Sequence, residues 1–252
     1  MTLELARLVA YLDDYLRTGA IRDAPGALNG LQVANTGTVS RLAAAVDFCE
    51  ATVNLAARAG ADLLVVHHGL FWGEVRPLTG PHYRRVAALL RHDIALYAAH
   101  LPLDCHPEVG NNPLLARQLG LAPAGEFGEY EGQSIGVWCE TDLDREALTR
   151  RLSDVLGTPP RLLAFGPERV RRVGIVSGAG GGLIPQAAHA GLDTFVTGEG
   201  AHHSYFDAEE LGLNVYFGGH YRTETFGVRA LAERLEAQFG LPWVFLDHPT
   251  GL

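Results

Sequence analysis

The sequence predicts an α/β protein made of two similar lobes with mostly parallel or mixed sheets. One observation is the alternation of short, continuous apolar runs with helical patterns, which marks strands buried on both faces of a sheet. A second is internal likeness: AGADLLVVHHG (59–69) matches AGLDTFVTGEG (190–200) at an offset of 131 residues. A third is that IALYAAH, ending at His100, matches NVYFGGH, ending at His220, at an offset of 120. Duplication accounts for both matches, and chance likeness of two strand–loop units is the alternative. The change in offset assigns the first copy a longer loop after its histidine doublet, around 70–80.

The elements follow in order. Leu5, Leu8, Val9, Leu12, Tyr15 and Leu16 recur at helical spacing, so the chain opens on an amphipathic helix. Pro25 and Gly26 mark 22–29 as a loop. LQVAN, RLAAAVD, LLVVHH and ALYAAH then read as strands, with helices around 50–59, 82–91 and 111–119. In the second half SIGVWCE, RLLAFG, RRVGIVS, TFVTGE, NVYFGG and PWVFLD read as strands. The helices there fall around 144–156, 182–190, 203–211 and 224–238. The Gly- and Glu-rich stretch 122–133 is the expected boundary, giving lobes 1–124 and 125–252.

Composition excludes several chemistries. The 252 residues carry 29 acidic and 20 basic side chains, and every basic one is arginine. Without lysine there is no P-loop phosphate clamp and no Schiff-base nucleophile. A formal net charge of −9 argues against non-specific nucleic-acid binding, which needs cations facing phosphates. Cys49, Cys105 and Cys139 form no CxxC pair, so neither a zinc ribbon nor a disulfide framework is expected. No apolar run reaches membrane-spanning length, and the N-terminus lacks signal-peptide features. The expectation is a cytoplasmic protein. The arginine-only usage fits genomic base composition and carries no functional meaning of its own.

Histidine, with 11 copies, is the informative residue. Ligands of parallel α/β sheets sit beyond the carboxyl ends of the strands. His67-His68, the His100/Asp104 loop, Glu199 and the His220/Glu224 loop all stand there, and the His-x-x-x-acid unit occurs twice. Imidazole and carboxylate together suit Zn, Fe, Mn or Ni. The number of donors exceeds what one open site needs, and carboxylates bridge paired ions in two-metal hydrolases, so two divalent ions are expected. Each element alone has a plainer reading. A doublet at a strand end also fits one buried and one solvated histidine, Asp104 in PLDCHP fits a turn, and Glu224 fits a helix start.

HHGLFWG (67–73), HLPLD (100–104), GNN (110–112), TGE (197–199), GHYRTETFGV (219–228) and the early GLQV (30–33) resemble the interacting-factor-three-like dinuclear-metal proteins. Members of that family carry the label GTP cyclohydrolase 1 type 2 homologues. The resemblance runs over nearly the whole chain. It implies metal ligation by His67, His68, Asp104, His220 and Glu224, two intertwined lobes with the metal site between them, and a toroidal homohexamer. Longer members of that family carry an extra domain inserted mid-chain, for which 252 residues leave no room. Two departures spare the ligands: Gly69 replaces a common proline, and APGALNG replaces a tryptophan-containing approach to GLQV.

Around those ligands, His100 is a candidate for proton transfer, and Glu199 for orienting a ligating imidazole. Arg222 offers a planar fork to a phosphate or carboxylate, against a plain surface role. His202 and His203 read as solvated. SGAGGGL (177–183) reads as a tight turn with a weak phosphate-loop character. The expected function is a metal-dependent hydrolase acting on a cyclic amidine C–N bond, with GTP as the substrate the resemblance implies. The alternatives are a non-enzymatic metal carrier, insertase or scaffold, and a regulatory nucleotide-binding module.

Overall fold

A computed structural model describes residues 2–252. The first half of the chain forms β1 (Leu3–Glu4), α1 (Leu5–Leu16), β2 (Gly30–Val33), β3 (Thr38–Val39), β4 (Leu42–Asp47), α2 (Glu50–Ala59), β5 (Leu63–His68), α3 (Gly80–Arg91), β6 (Ala95–Ala98), α4 (Leu101–Asp104) and α5 (Asn111–Gln118). Next come β7 (Pro123–Tyr130), β8 (Gln133–Asp144), α6 (Arg145–Leu156), β9 (Arg161–Ala164), β10 (Arg169–Ile175), a 3-10 turn (Gly180–Leu183) and α7 (Ile184–His189). The chain closes with β11 (Thr194–Thr197), α8 (Ser204–Leu211), β12 (Asn214–Phe217), α9 (His220–Thr223), α10 (Thr225–Phe239) and β13 (Trp243–Phe245). Every strand and helix read from the sequence forms, so the α/β class stands.

The chain divides into two compact units, one of Met1–Leu103 with Gly227–His248, the other of Asp104–Phe226 with Pro249–Leu252. The sequence reading put the boundary at 124/125. Packing moves it, because Leu115, Ala116 and Leu119 of α5 bury in the core of the second unit. β13 returns to the first unit by pairing with β4.

The first unit holds a five-stranded sheet in the order β13-β4-β5-β6-β2. Its first four strands are parallel and β2 is antiparallel to β6. Continuous apolar strands suit this sheet because both faces are covered. Ala43, Ala45, Leu64, Val66 and Leu96 pack on one face against Val53 and Ala56 of α2 and Leu89 of α3. Alternation sends Leu63, Val65 and Tyr97 to the opposite face, where the Tyr97 hydroxyl donates to Asp13 of α1 at 2.8 Å. Arg234 of α10 donates to the Tyr11 hydroxyl at 2.9 Å, tying the last helix to the first. β1 and β3 form a small antiparallel pair.

The second unit holds a six-stranded sheet, β7-β8-β10-β11-β12-β9. β10, β11 and β12 are parallel, and β9 is antiparallel to β12. This repeats β4, β5, β6 and β2 of the first unit, strand for strand, so the internal likeness in sequence is also a likeness in topology. The difference lies on the open side of β10. There β7 and β8 add an antiparallel hairpin, turning at Glu131 and Gly132 with φ of 52° and 78°. The stretch expected as a boundary is therefore the β7 edge of a sheet. Leu148, Leu152 and Leu156 of α6 cover one face with α5, around Cys139, Val173, Ile175 and Val196.

Among the described residues, no helix is long and apolar enough to cross a membrane.

Candidate functional site

The carboxyl ends of the parallel strands carry the polar residues in both units. In the first unit β5 ends on His67 and His68, and the chain after β6 turns at His100. Their rings cluster, with centroids 4.7 Å apart for His67–His68 and 4.9 Å for His67–His100. One ring nitrogen from each lies within 4.8 Å of the others, a group that could hold a metal ion. The exposed Trp72 indole stands edge-on to His100 at 4.7 Å.

Each ring is anchored at Nδ1. His67 Nδ1 meets the Ala99 carbonyl at 2.9 Å, His68 Nδ1 meets Asp47 at 2.8 Å, and His100 Nδ1 meets Asp23 at 2.6 Å. An oxygen acceptor at Nδ1 selects the Nδ1–H tautomer and puts the lone pair on Nε2, the arrangement of metal-ligating histidines. Asp47 and Asp23, which hold two of these imidazoles, are side chains that sequence reasoning missed. Asp47 had a signal, since it ends β4 in register with His68. Asp23 had none, since it lies in a loop far from His100 in sequence.

In the second unit β10, β11 and β12 end on the SGAGGGL, TGE and GGHYRTE segments. His220 Nδ1 lies 2.8 Å from Glu199, and His220 Nε2 lies 3.1 Å from the buried Glu224 carboxylate. Burial opposes the imidazolium, but the hydrogen bonds and charges of Glu224 and Glu199 outweigh it and raise the His220 pKa to about 9. Glu199 thus stands where an orienting carboxylate would stand. The buried Asp104 carboxylate accepts from Asn111 Nδ2 at 2.8 Å and from Ser177 Oγ at 3.1 Å. Asn112 accepts the Ser177 N–H at 2.6 Å, so the GNN segment ties Asp104 to the end of β10.

SGAGGGL proves to be structural. Gly178 N–H donates to Thr223 Oγ1, its carbonyl accepts from Gly198 and Glu199 N–H, and Gly180 N–H donates to Thr197 Oγ1. Those amides are committed inside the protein, which leaves the tight-turn reading. Gly178 also makes room: a Cβ there would overlap Glu224 Oε1 and stand 3.3 Å from His220 Nε2. His203 is exposed, as expected of a solvated residue, and His202 lines a cavity beside Glu199.

The model of the family described as Duf34/NIF3 (NGG1p interacting factor 3) matches residues 3–250. The chain belongs to the Duf34/NIF3 family. Within it, a Deinococcus radiodurans protein named GTP cyclohydrolase 1 type 2 homolog is 49% identical, over 97% of this chain and 93% of its own length. A protein of the same name from Archaeoglobus fulgidus is 44% identical, over 99% and 100%. Among solved structures, TTHA1606 from Thermus thermophilus superposes with a TM-score of 0.91 at 46% identity, covering 99% of this chain and 100% of that one. Reduced HcgD from Methanocaldococcus jannaschii follows the same fold, with a TM-score of 0.85 at 26% identity over 98% and 99% of the chains.

Proposed function

We propose that this Duf34/NIF3 member is a metal-dependent hydrolase that binds two divalent ions through His67, His68, Asp104, His220 and Glu224. The observation that carries the reading is the shared anchoring of His67, His68 and His220 at Nδ1, by Ala99, Asp47 and Glu199. Histidines with an ordinary packing role have no need of a common oxygen anchor at Nδ1. The space kept open by Gly178 beside Glu224 and His220 fits the same purpose. Nitrogen and carboxylate donors suit Zn, Fe, Mn or Ni, and their selection depends on geometry and supply.

The chemistry such ions supply when bound is Lewis-acid activation of water and substrate. The chain's own residues do the rest. Asp47 and Glu199 hold the imidazoles of His68 and His220 in orientation. His100, which Asp23 holds at Nδ1, would take up or give a proton. The names of the relatives point to GTP as the first substrate to try, with opening of a cyclic amidine C–N bond as the reaction.

The test is elemental analysis of His68→Ala and Glu224→Ala after reconstitution, with circular dichroism to confirm the fold. Loss of bound metal in folded variants is expected, and full stoichiometry in both would overturn the ligand assignment. Turnover of GTP by protein loaded with each metal separates hydrolase from carrier. No product with any metal would favour the carrier. The homohexamer that accompanies this reading is checked by analytical ultracentrifugation.

A further inference from the structure

The second unit contains a cavity of about 720 Å³, within the range of small-molecule sites. Glycines form much of its wall, at 198, 200, 218 and 219. They let main chain stand where side chains would fill the space. At Gly200 a Cβ would lie 2.7 Å from Phe217 Cε1, so the ring lies close on the backbone of that segment. Gly219 has a φ of +90°, a conformation that favours glycine.

The side chains in the wall divide by chemistry. Phe217 and Tyr205 present aromatic surface. Arg161 and Arg222 present guanidinium groups, and neither has an ion-pair or side-chain hydrogen-bond partner among the described residues. Arg161 stands opposite Phe217 in the register of β9 with β12, so both side chains leave the same face of the sheet. The acidic side chain of the wall, Glu199, is already engaged with His220. Two uncommitted cations beside aromatic surface, in a chain with an acidic excess, call for an anion with an apolar body.

We infer that this cavity binds a small organic anion, its phosphate or carboxylate held by Arg161 and Arg222 and its ring packed against Phe217 and Tyr205. The inference goes beyond the metal reading and does not depend on it, because both arginines and the cavity belong to one unit and neither is a proposed ligand.

Calorimetric titration with phenyl phosphate and with benzoate tests it, on full-length protein both stripped by chelator and loaded with Zn. Saturable binding of either probe in both forms is expected, at least tenfold tighter than inorganic phosphate or benzyl alcohol. Which probe binds tighter identifies the headgroup. R161Q and R222Q should each weaken binding at least tenfold without loss of bound metal. R150Q, which alters an exposed arginine on α6, should leave it unchanged. No saturable binding, equal affinity for inorganic phosphate, or indifference to both cavity substitutions would overturn the inference. Binding confined to the metal-loaded protein would overturn it too, while leaving the metal assignment intact. Failure of metal to bind, with the probes still bound, would count only against the metal reading.

Discussion

Asp23 Oδ1 lies 2.6 Å from His100 Nδ1, so a loop carboxylate between α1 and β2 fixes an imidazole at the end of β6. The same carboxylate accepts from Ala24 N–H at 2.7 Å, Asn29 Nδ2 at 2.7 Å and Leu101 N–H at 3.1 Å. One buried group therefore organises the approach to the histidine cluster.

Asp23→Ala leaves those donors without their acceptor, and a loss of about 3 kcal/mol in urea unfolding at pH 7 is expected. Burial pushes the Asp23 carboxyl up, but the hydrogen bond and charge of His100, with the hydrogen bonds of Asn29 and Ala24, together outweigh it and hold the carboxyl below its ordinary 3.8. A lowered acid stabilises the fold above its unfolded pKa, and that contribution is lost as pH falls through the folded value. The gap between wild type and variant should thus be full at pH 6 and shrink below about pH 4.

Gly178→Ala should act on Glu224 and His220 while both residues keep their identity. Its Cβ would overlap Glu224 Oε1, and a φ of +63° adds strain of about 1 kcal/mol. The expected outcome is a folded protein with at least tenfold weaker metal binding, read by competition with a chromophoric chelator.

The three thiols should differ in reactivity. Burial pushes the Cys139 thiol up to about 11, while Cys49 and Cys105 are partly exposed. A thiol titration at pH 8 should count two fast cysteines in native protein and release the third only on unfolding. Rapid modification of Cys139 in the native state would contradict its burial.

Stability should follow the core and not the surface charges. Leu152 is fully buried against β8 and β10, and Leu152→Ala should cost about 2–5 kcal/mol. Arg169 pairs with Asp142 and Asp144 in the open, and Arg169→Ala should leave the unfolding midpoint nearly where it was.

What could be read in advance followed from local pattern. LLVVHH and NVYFGG announce strands by their apolar continuity, and their ends announce a site because strand polarity carries every carboxyl end to one edge. The likeness of β5 to β11 and of β6 to β12 was visible for the same reason. The β7–β8 hairpin was not, because its Gly- and Glu-rich edge strand has no apolar run to betray it. Asp23 was hidden because its role depends on the fold bringing it to His100. The unit boundary was hidden because α5 and α10 carry no mark of the core they join. SGAGGGL read as a tight turn with weak phosphate-loop character, and what the sequence could not show is that Thr223 and Thr197 take up the Gly178 and Gly180 amides.

The pairing of Trp243–Phe245 with Leu42–Ala44 carries a consequence for how the molecule comes into being. The sheet of the first unit lacks an edge strand until the ribosome has delivered residues 243–245, long after their partner β4. Pairing at such separation carries a high loop-closure entropy and slows folding. The second unit has all its strands in one continuous stretch and can settle first. The order of birth is then inverted: the sheet begun before that of the second unit is completed after it.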